Sequence, residues 1–212
     1  MRVLQPTYHS DIRAPIERFD ERDMVFARQD LVRYFGEVSP QFTQYFNEHP
    51  DVKEFHLSLS KKSPLGGLNL SDAPMFRAQF KMIDMIGSEE LVSGSPASKK
   101  ITFSEDRAAL KIKNTARLYG AEIVGIGSLK QEWTYSRVGT TAGDQAGYQP
   151  WGSHIDLSGH THAIALGFHM DLNLLSSAPN FPTMLASAQA YAASAWTAIR
   201  LADYIRQLGY HA

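Results

Sequence analysis

The sequence has 212 residues, of which 43% are hydrophobic and 20% charged, so it can bury a sizeable core and is too weakly charged to be disordered. Lys and Arg total 21 against 22 Asp and Glu, and this balance gives no electrostatic reason to expect nucleic acid or an anionic membrane as a partner. Cysteine is absent, which excludes disulfides, a cysteine nucleophile and an iron–sulfur cluster held by the chain's own thiolates.

The sequence shows neither a membrane segment nor an export signal. No run approaches the roughly 20 consecutive apolar residues that span a bilayer. The N-terminus lacks a basic stretch followed by an apolar one, and it lacks a twin-arginine pair. We therefore expect a chain without a membrane span that works in the cytoplasm.

The first hundred residues predict a helical, loop-rich region. Short helical segments at 30–35, 40–48 and 74–86 alternate with turn-rich pieces at 63–67 and 93–96. The Ser-Gly-Ser-Pro turn at 93–96 marks a boundary. We divide the chain there into an N-terminal region, residues 1–97, and a second region, residues 98–212.

The second region predicts a helix, two strands and a long connection between them. Thr102 or Ser104, followed by acidic residues, is typical of the start of a helix that ends at Gly120. Residues 121–127 and 162–170 are short apolar runs typical of buried strands. The aromatic and glycine-rich stretch 131–151 between them predicts an ordered loop with a function.

The last predicted helix runs from Pro182 to Leu208, and Gly209 caps it. Its apolar stripe includes Ala195, Ile199 and Ala202. Two strands alone rarely form a stable sheet, and residues 210–212 resemble the first residues of a further strand. We therefore expect an α+β domain that is truncated at residue 212.

Two groups of residues could carry chemistry. The imidazoles of His154, His160, His162 and His169 are close in sequence and could hold zinc or iron, but their spacing fits no standard metal signature. Solvated or backbone-capping histidines are the favoured interpretation, and we assign no metal site. Tyr191 has small neighbours on the long helix, and without other information a buried core tyrosine is the favoured interpretation.

The sequence resembles the cobalamin-dependent reductive dehalogenases, which are relatives of the epoxyqueuosine reductases. The segment 16–28 is similar to the N-terminal segment of that family, and 111–127 to its helix–strand unit. Trp133, Tyr135 and Ser136 match a Trp-x-Tyr-Ser motif. The similarity continues through 162–179, around Met170-Asp171, and through 204–212, so it covers nearly the whole chain in register.

The resemblance implies a nitroreductase-like α+β domain that holds a base-off corrinoid, with two cysteine-bound [4Fe–4S] clusters delivering electrons. It also implies a tyrosine on the long helix that protonates the dehalogenated carbon. That position falls on Tyr191, the predicted catalytic residue. A small hydroxyl residue one turn earlier falls on Ser187, the predicted cofactor-binding residue. Their i, i+4 spacing places both on one helix face.

The resemblance covers only the first part of the family's catalytic unit. The cluster cysteines and the main corrinoid loops of the family lie beyond the part that this sequence matches. We therefore expect a partial corrinoid domain, inactive without a C-terminal half or partner chain that supplies the clusters. Cobalamin is the expected cofactor, and an organohalide, whose halogen is replaced by hydrogen, is the expected substrate.

Two alternatives to a dehalogenase remain open. The chain could be a non-catalytic remnant or accessory subunit of a corrinoid and iron–sulfur reductase. It could also be an epoxyqueuosine-reductase-like enzyme, although the neutral charge balance does not favour binding to tRNA. For a partial domain, we also expect an exposed apolar face along the sheet edge and the stripe of Ala195, Ile199 and Ala202, and hence self-association.

Overall fold

The computed structural model describes residues 15–31, 35–60, 73–86, 89–139, 150–178 and 180–212. The helices are α1 (Val25–Asp30), α2 (Pro40–Glu48), α3 (Pro50–Ser60), α4 (Ala73–Ile86), α5 (Glu89–Val92), α6 (Glu105–Leu118), α7 (Leu172–Leu175) and α8 (Phe181–Gln207). The strands are β1 (Ile123–Ser128) and β2 (His162–Gly167), and 3-10 helices lie at Glu21–Asp23 and Gln131–Trp133.

Most predicted helices and both strands are present at nearly the predicted positions, but the described helix α1 (Val25–Asp30) lies before the helix predicted at 30–35. The helix predicted at 40–48 is α2, the one at 74–86 is α4, and the long helix is α8, which begins one residue earlier than predicted. α6 begins after Ser104, as predicted, although the Ser104 side chain makes no capping hydrogen bond. The predicted turn at 63–67 lies outside the described residues, as do residues 32–34 of the helix predicted at 30–35.

The two strands form an antiparallel pair in which Ile123 lies opposite Gly167 and Ser128 opposite His162. Val124 on the inner face is buried against α6 and α8, whereas Ile123 on the outer face is 73% exposed. The prediction that both strands are buried is therefore wrong for the outer face. The described structure covers that face with no further layer, so side chains alternate between core and solvent.

The first core lies under α2. Ser39 caps this helix by accepting a hydrogen bond from the Phe42 amide at 3.1 Å, and Pro40 occupies the first turn, where a missing N–H does no harm. Residues spaced three and four apart then face inward. The buried members are Leu31, Phe42, Tyr45 and Phe46, and Phe35, Val52 and Trp151 pack against them.

The second core lies between α6, α8 and the inner face of the sheet. Its buried members are Ala116, Ala121, Val124 and Leu201. Thr197 is 1% exposed and donates a hydrogen bond to the Tyr119 carbonyl at 2.8 Å, which ties α8 to the end of α6. This core therefore fixes the direction of α8 relative to the strands.

The opposite side of α8 packs against α4 and α5. Ala188 is buried on this side, and Arg206, five turns later, is 4% exposed and donates to the Val92 carbonyl at 3.3 Å. Ala195, Ile199 and Ala202 lie on the same stripe and are half-buried. The expectation that this stripe is exposed is therefore wrong, and the self-association that we based on it stays a prediction.

The segment around residues 16–28 connects the two regions. The Arg18 guanidinium donates to the main-chain oxygens of Thr134, Tyr135 and Ile155, the last at 2.8 Å. The Ser136 amide donates to the Phe19 carbonyl at 2.8 Å. Hydrogen bonds thus cross the predicted boundary at residue 97, and the division of the chain at that point stays a prediction.

The described part of the loop 131–151 is ordered by pairing with the residues that follow it. Arg137 forms a β-bridge with His154, and the Val138 amide donates to the Ser153 carbonyl at 2.9 Å. Among the residues that the structure describes, no helix combines the length and the apolar character needed to cross a bilayer. The cytoplasmic location stays a prediction.

The fold is thus a mixture of helices with a small two-stranded sheet. A nitroreductase-like corrinoid domain remains an expectation from the resemblance.

Candidate functional site

The long helix α8 presents Tyr191 to solvent. Because α4 packs against one side of the helix and the second core lies on another, the strips between them remain open. Tyr191 lies on such a strip and is 60% exposed. The core-tyrosine interpretation of this residue is therefore wrong for the structure. Its neighbours along the helix include Ala190, Ala192 and Ala193, so no bulky side chain next to it in sequence covers the ring.

The Tyr191 hydroxyl is available for chemistry. Among the described residues no group makes a hydrogen bond with it, and no described Arg or Lys stacks on its ring. Its main-chain oxygen accepts a hydrogen bond from Ser194 at 3.0 Å, a contact internal to the helix. The phenol can therefore donate its proton to a ligand on this face without first breaking a contact that the structure shows.

Ser187 lies one turn before Tyr191, and its hydroxyl proton is already donated in a hydrogen bond within the protein. Its Oγ donates to the Thr183 carbonyl at 3.1 Å, the local contact that serines often make inside helices. Thr183 in turn donates to the Leu174 carbonyl at 3.2 Å and lies 3.3 Å from the Ser177 hydroxyl. This network fastens the start of α8 to α7. The Ser187 oxygen is left to accept a hydrogen bond from a ligand.

The face of α8 with Tyr191 and Ser187 fits one wall of a corrinoid site. A corrinoid is a broad, nearly planar ring edged with amide groups, so it needs flat apolar contact and acceptors for amide N–H. The alanines and the exposed Tyr191 ring provide the flat apolar contact. The Ser187 oxygen provides a hydrogen-bond acceptor. Among the described residues, we identify no further walls of such a corrinoid site.

The residues do not fit an iron–sulfur cluster. Such clusters are held by cysteine thiolates, with histidine replacing them in one class, and the sequence has no cysteine at all.

The histidines of the second region are not brought together. Within the described ranges, no group of three or more His, Asp or Glu side chains is arranged to hold a metal ion. His162 lies at the start of β2 and its Nδ1 contacts the Thr161 hydroxyl at 2.8 Å. His154 lies in the bridge with Arg137, and the amide of His169 donates to the Glu122 carboxylate at 3.2 Å.

The structure also contains a polar cleft of about 370 Å³ that the sequence did not indicate. Arg22 lies on its wall, pairs with Asp20 at 2.8 Å, and stacks over the Trp151 ring at 5.4 Å. The residues that line the cleft are Arg22, Pro40, Gln41, Gln44, Glu48, Arg137, Trp151 and Gly152. The cleft joins three distant stretches of chain, so no short motif could have revealed it.

The Asp20–Arg22 pair is held in its charged form. Burial alone raises the pKa of Asp20, but the hydrogen bonds from the Arg22 side chain and amide outweigh it, so the net pKa lies below its usual value. The hydrogen bond to Asp20 likewise raises the pKa of Arg22, against the effect of burial. The Nε and Nη2 groups of Arg22 both donate to the Asp20 carboxylate, so the pair stabilises the cleft wall.

Comparison with known proteins gives a distant relationship. No protein-family model matches the chain. The chain is 24% identical to the tetrachloroethene reductive dehalogenase of Dehalobacter restrictus, over 51% of this chain and 25% of that protein. The chain therefore spans about a quarter of the length of the curated relative that it matches. This similarity agrees with the family resemblance of the sequence at the level of a distant relationship.

Proposed function

We propose that the chain forms one wall of the active site of a corrinoid-dependent reductive dehalogenase. The reaction is the replacement of halogen by hydrogen on an organohalide in the cytoplasm. The observation that carries this proposal is the exposed Tyr191 on α8, whose hydroxyl makes no hydrogen bond with the described residues. The distant similarity to a tetrachloroethene reductive dehalogenase supports the same reaction class.

The reaction consumes two electrons and one proton for each carbon–halogen bond, and it releases a halide ion. A bound corrinoid would supply the electrons at the carbon. The proton comes from the exposed Tyr191 hydroxyl, which acts as a general acid toward the reduced carbon. Because Tyr191 is exposed, water can return a proton to the phenolate after each turnover.

Ser187 has a positioning role in this proposal. Its oxygen would accept a hydrogen bond from an amide of the corrinoid, while its own hydroxyl proton is donated to the Thr183 carbonyl. Any [4Fe–4S] cluster that would supply electrons to the corrinoid would need cysteines that this sequence does not contain. A C-terminal half or a partner chain with those cysteines is part of the proposal.

Titration of the chain with hydroxocobalamin tests corrinoid binding. We expect the corrinoid absorbance spectrum to change as protein is added. Titanium(III) citrate then reduces the corrinoid directly, so no cluster is needed, and tetrachloroethene serves as the probe substrate. Because this reductant bypasses the clusters, whose absence otherwise leaves the chain inactive, we expect dechlorination above the rate of free reduced cobalamin.

Tyr191→Phe keeps the ring and removes only the proton donor. We expect unchanged corrinoid binding and a loss of roughly 10²–10⁴-fold in the protein-dependent rate, the usual contribution of a general acid. Tyr210→Phe, at another partly exposed tyrosine, is the matched control and should leave the rate unchanged. An unchanged corrinoid spectrum with wild-type protein, or full activity of Tyr191→Phe, would overturn the proposal.

A further inference from the structure

The solvent side of α6 carries a cationic face. Arg107 and Lys111 lie over the Phe103 ring at 5.7 and 5.2 Å, and none of the cations on this side forms an ion pair with a carboxylate of the described residues. We define the α6 cationic face as Arg107, Leu110, Lys111, Lys113, Arg117 and Leu118. The exposed carboxylate of Asp106 lies at the N-terminal end of the same side and forms no ion pair with these cations among the described residues.

Interactions within α6 do not explain why cations are grouped on this face. Arg107 and Lys111, and likewise Lys113 and Arg117, are like charges at i, i+4, and each pair destabilises a helix by roughly 0.2–0.5 kcal/mol. The helix dipole favours the cations near the C-terminus of α6 but disfavours Arg107 in its first turn. A negatively charged binding partner would offset both penalties.

Two exposed leucines lie among the cations of the α6 cationic face, and they indicate which kind of partner binds there. Leu110 is 59% and Leu118 is 81% exposed on the same side of the helix. Nucleic acid is bound mainly through phosphates, which gain nothing from leucine. Charged and apolar groups together are typical of a protein interface, where an apolar centre is surrounded by polar groups.

An acidic surface of matching character lies on α3. Asp51 and Glu54 are exposed, and Phe55 is 57% exposed. Their i, i+3, i+4 spacing places the three residues, which we call the α3 acidic surface, on one helix face. The neighbouring Lys53 ammonium lies over the Phe42 ring at 5.9 Å.

The two surfaces belong to different parts of the molecule. α6 packs against β1 and α8, whereas α3 packs against α1 and α2. No ion pair among the described residues joins them. Opposite charge and exposed apolar groups are therefore both present, but on surfaces that separate copies of the chain can bring together.

We propose that the α6 cationic face of one copy of the chain binds the α3 acidic surface of a second copy. Because the two surfaces differ, the contact is head-to-tail, and it extends beyond a dimer unless the rotation closes a ring. One helix face against another buries a small area, so the contact is weak and depends mainly on charge. It does not involve Tyr191 or Ser187, so it stands or falls independently of the proposed dehalogenase.

Sedimentation velocity of the full chain over a range of concentrations tests the contact. Raising the salt from about 0.01 M to about 1 M shortens the Debye length from about 30 Å to about 3 Å. We expect reversible association at low salt and an association constant at least roughly tenfold smaller at high salt. A strictly monomeric wild-type chain at low salt, or association that salt does not change, would overturn the proposal.

Variants that reverse the charge of each surface test whether the two surfaces contact each other. Arg107→Glu with Arg117→Glu reverses the α6 face, and the opposing effects of the helix dipole at its two ends limit any change in stability. Asp51→Lys with Glu54→Lys reverses the α3 surface. We expect each double variant alone to be monomeric and an equimolar mixture of the two to associate like the wild type. A mixture that stays monomeric would exclude this pairing.

A matched control distinguishes the loss of this contact from an effect of net charge on association. Lys81→Glu with Lys99→Glu changes two exposed cations outside α6, so it alters the net charge as much as the α6 double variant does. We expect it to associate like the wild type, and equal loss in both would contradict the proposal. Circular dichroism verifies folding. If the α6 glutamate variant fails to fold, Arg107→Gln with Arg117→Gln replaces it and should weaken association partially.

Discussion

Tyr45 illustrates how one side chain joins separate stretches of the chain. It is 0% exposed in the first core, and its hydroxyl donates a hydrogen bond to the Asp23 carboxylate at 2.8 Å. Burial raises the pKa of the Tyr45 hydroxyl to about 12, and Asp23 contributes in the same direction while Arg28 opposes it. The neutral tyrosine is therefore the form that the folded state prefers.

Tyr45→Phe should show this preference as a pH-dependent stability difference. At pH 8 we expect the free energy of unfolding of the variant to be about 1 kcal/mol lower than that of the wild type, because one hydrogen bond is lost. Above pH 10 the unfolded wild-type tyrosine ionises before the folded one, so wild-type stability falls by about 1.4 kcal/mol per pH unit. The wild-type advantage should therefore disappear near pH 11.

Denaturant unfolding of both proteins between pH 8 and 11 measures this difference. Other lysines and tyrosines also ionise in this range, but they are the same in both proteins and cancel in the comparison. A difference that stays constant over the whole range would show that burial does not hold Tyr45 neutral.

At the scale of the element, the end of α8 shows how a local signal and a tertiary contact act at one residue. Gly209 has φ +87°, and its amide donates to the Arg206 carbonyl at 2.9 Å while the Tyr210 amide donates to Ile205 at 3.3 Å. This is the hydrogen-bond pattern of a Schellman cap. The Ile101 amide donates to the Leu208 carbonyl at 2.9 Å, so the chain before α6 packs directly against the cap.

Gly209→Ala should destabilise the protein through both effects. A Cβ atom would lie 2.8 Å from the Lys100 Cα and from the Lys99 carbonyl oxygen, which are main-chain atoms that cannot move aside easily. Left-handed backbone strain adds roughly 1–2 kcal/mol. We expect a total loss of about 3 kcal/mol in the free energy of unfolding.

Gly36→Ala is the matched control for backbone strain alone. Gly36 has φ +82°, and apart from its chain neighbours no atom of the described residues lies within 4 Å of the position of its Cβ. We expect it to lose only the strain energy, about 1–2 kcal/mol. Equal losses in the two variants, measured by denaturant unfolding, would mean that the close approach of residues 99–100 adds nothing.

At the scale of the whole molecule, the absence of cysteine limits what the chain can do alone. Iron–sulfur clusters need thiolate ligands, and none is present. After anaerobic incubation with iron and sulfide and then gel filtration, we expect the chain to elute without stoichiometric iron or cluster absorbance. A ferredoxin treated in parallel is the positive control. A stoichiometric cluster on the purified chain would contradict the cysteine argument.

Local signals in the sequence were sufficient to predict most of the elements. The helix at 40–48 was predicted from local signals, and Gly209 predicted the end of α8, because a helix cap depends on a few neighbouring residues. The apolar runs predicted β1 and β2. The possible proton donor Tyr191 was found from the family resemblance, since no local pattern distinguishes it from a core tyrosine.

Tertiary structure alone decided where these elements and residues lie. The exposure of Tyr191 depends on α4 and the second core packing on different sides of α8, and the half-burial of Ala195 has the same origin. The contact of Arg18 with Ile155 and that of Arg22 with Trp151 join residues more than a hundred positions apart. Sequence signals act within a few residues, whereas burial and cleft formation depend on which distant surfaces meet.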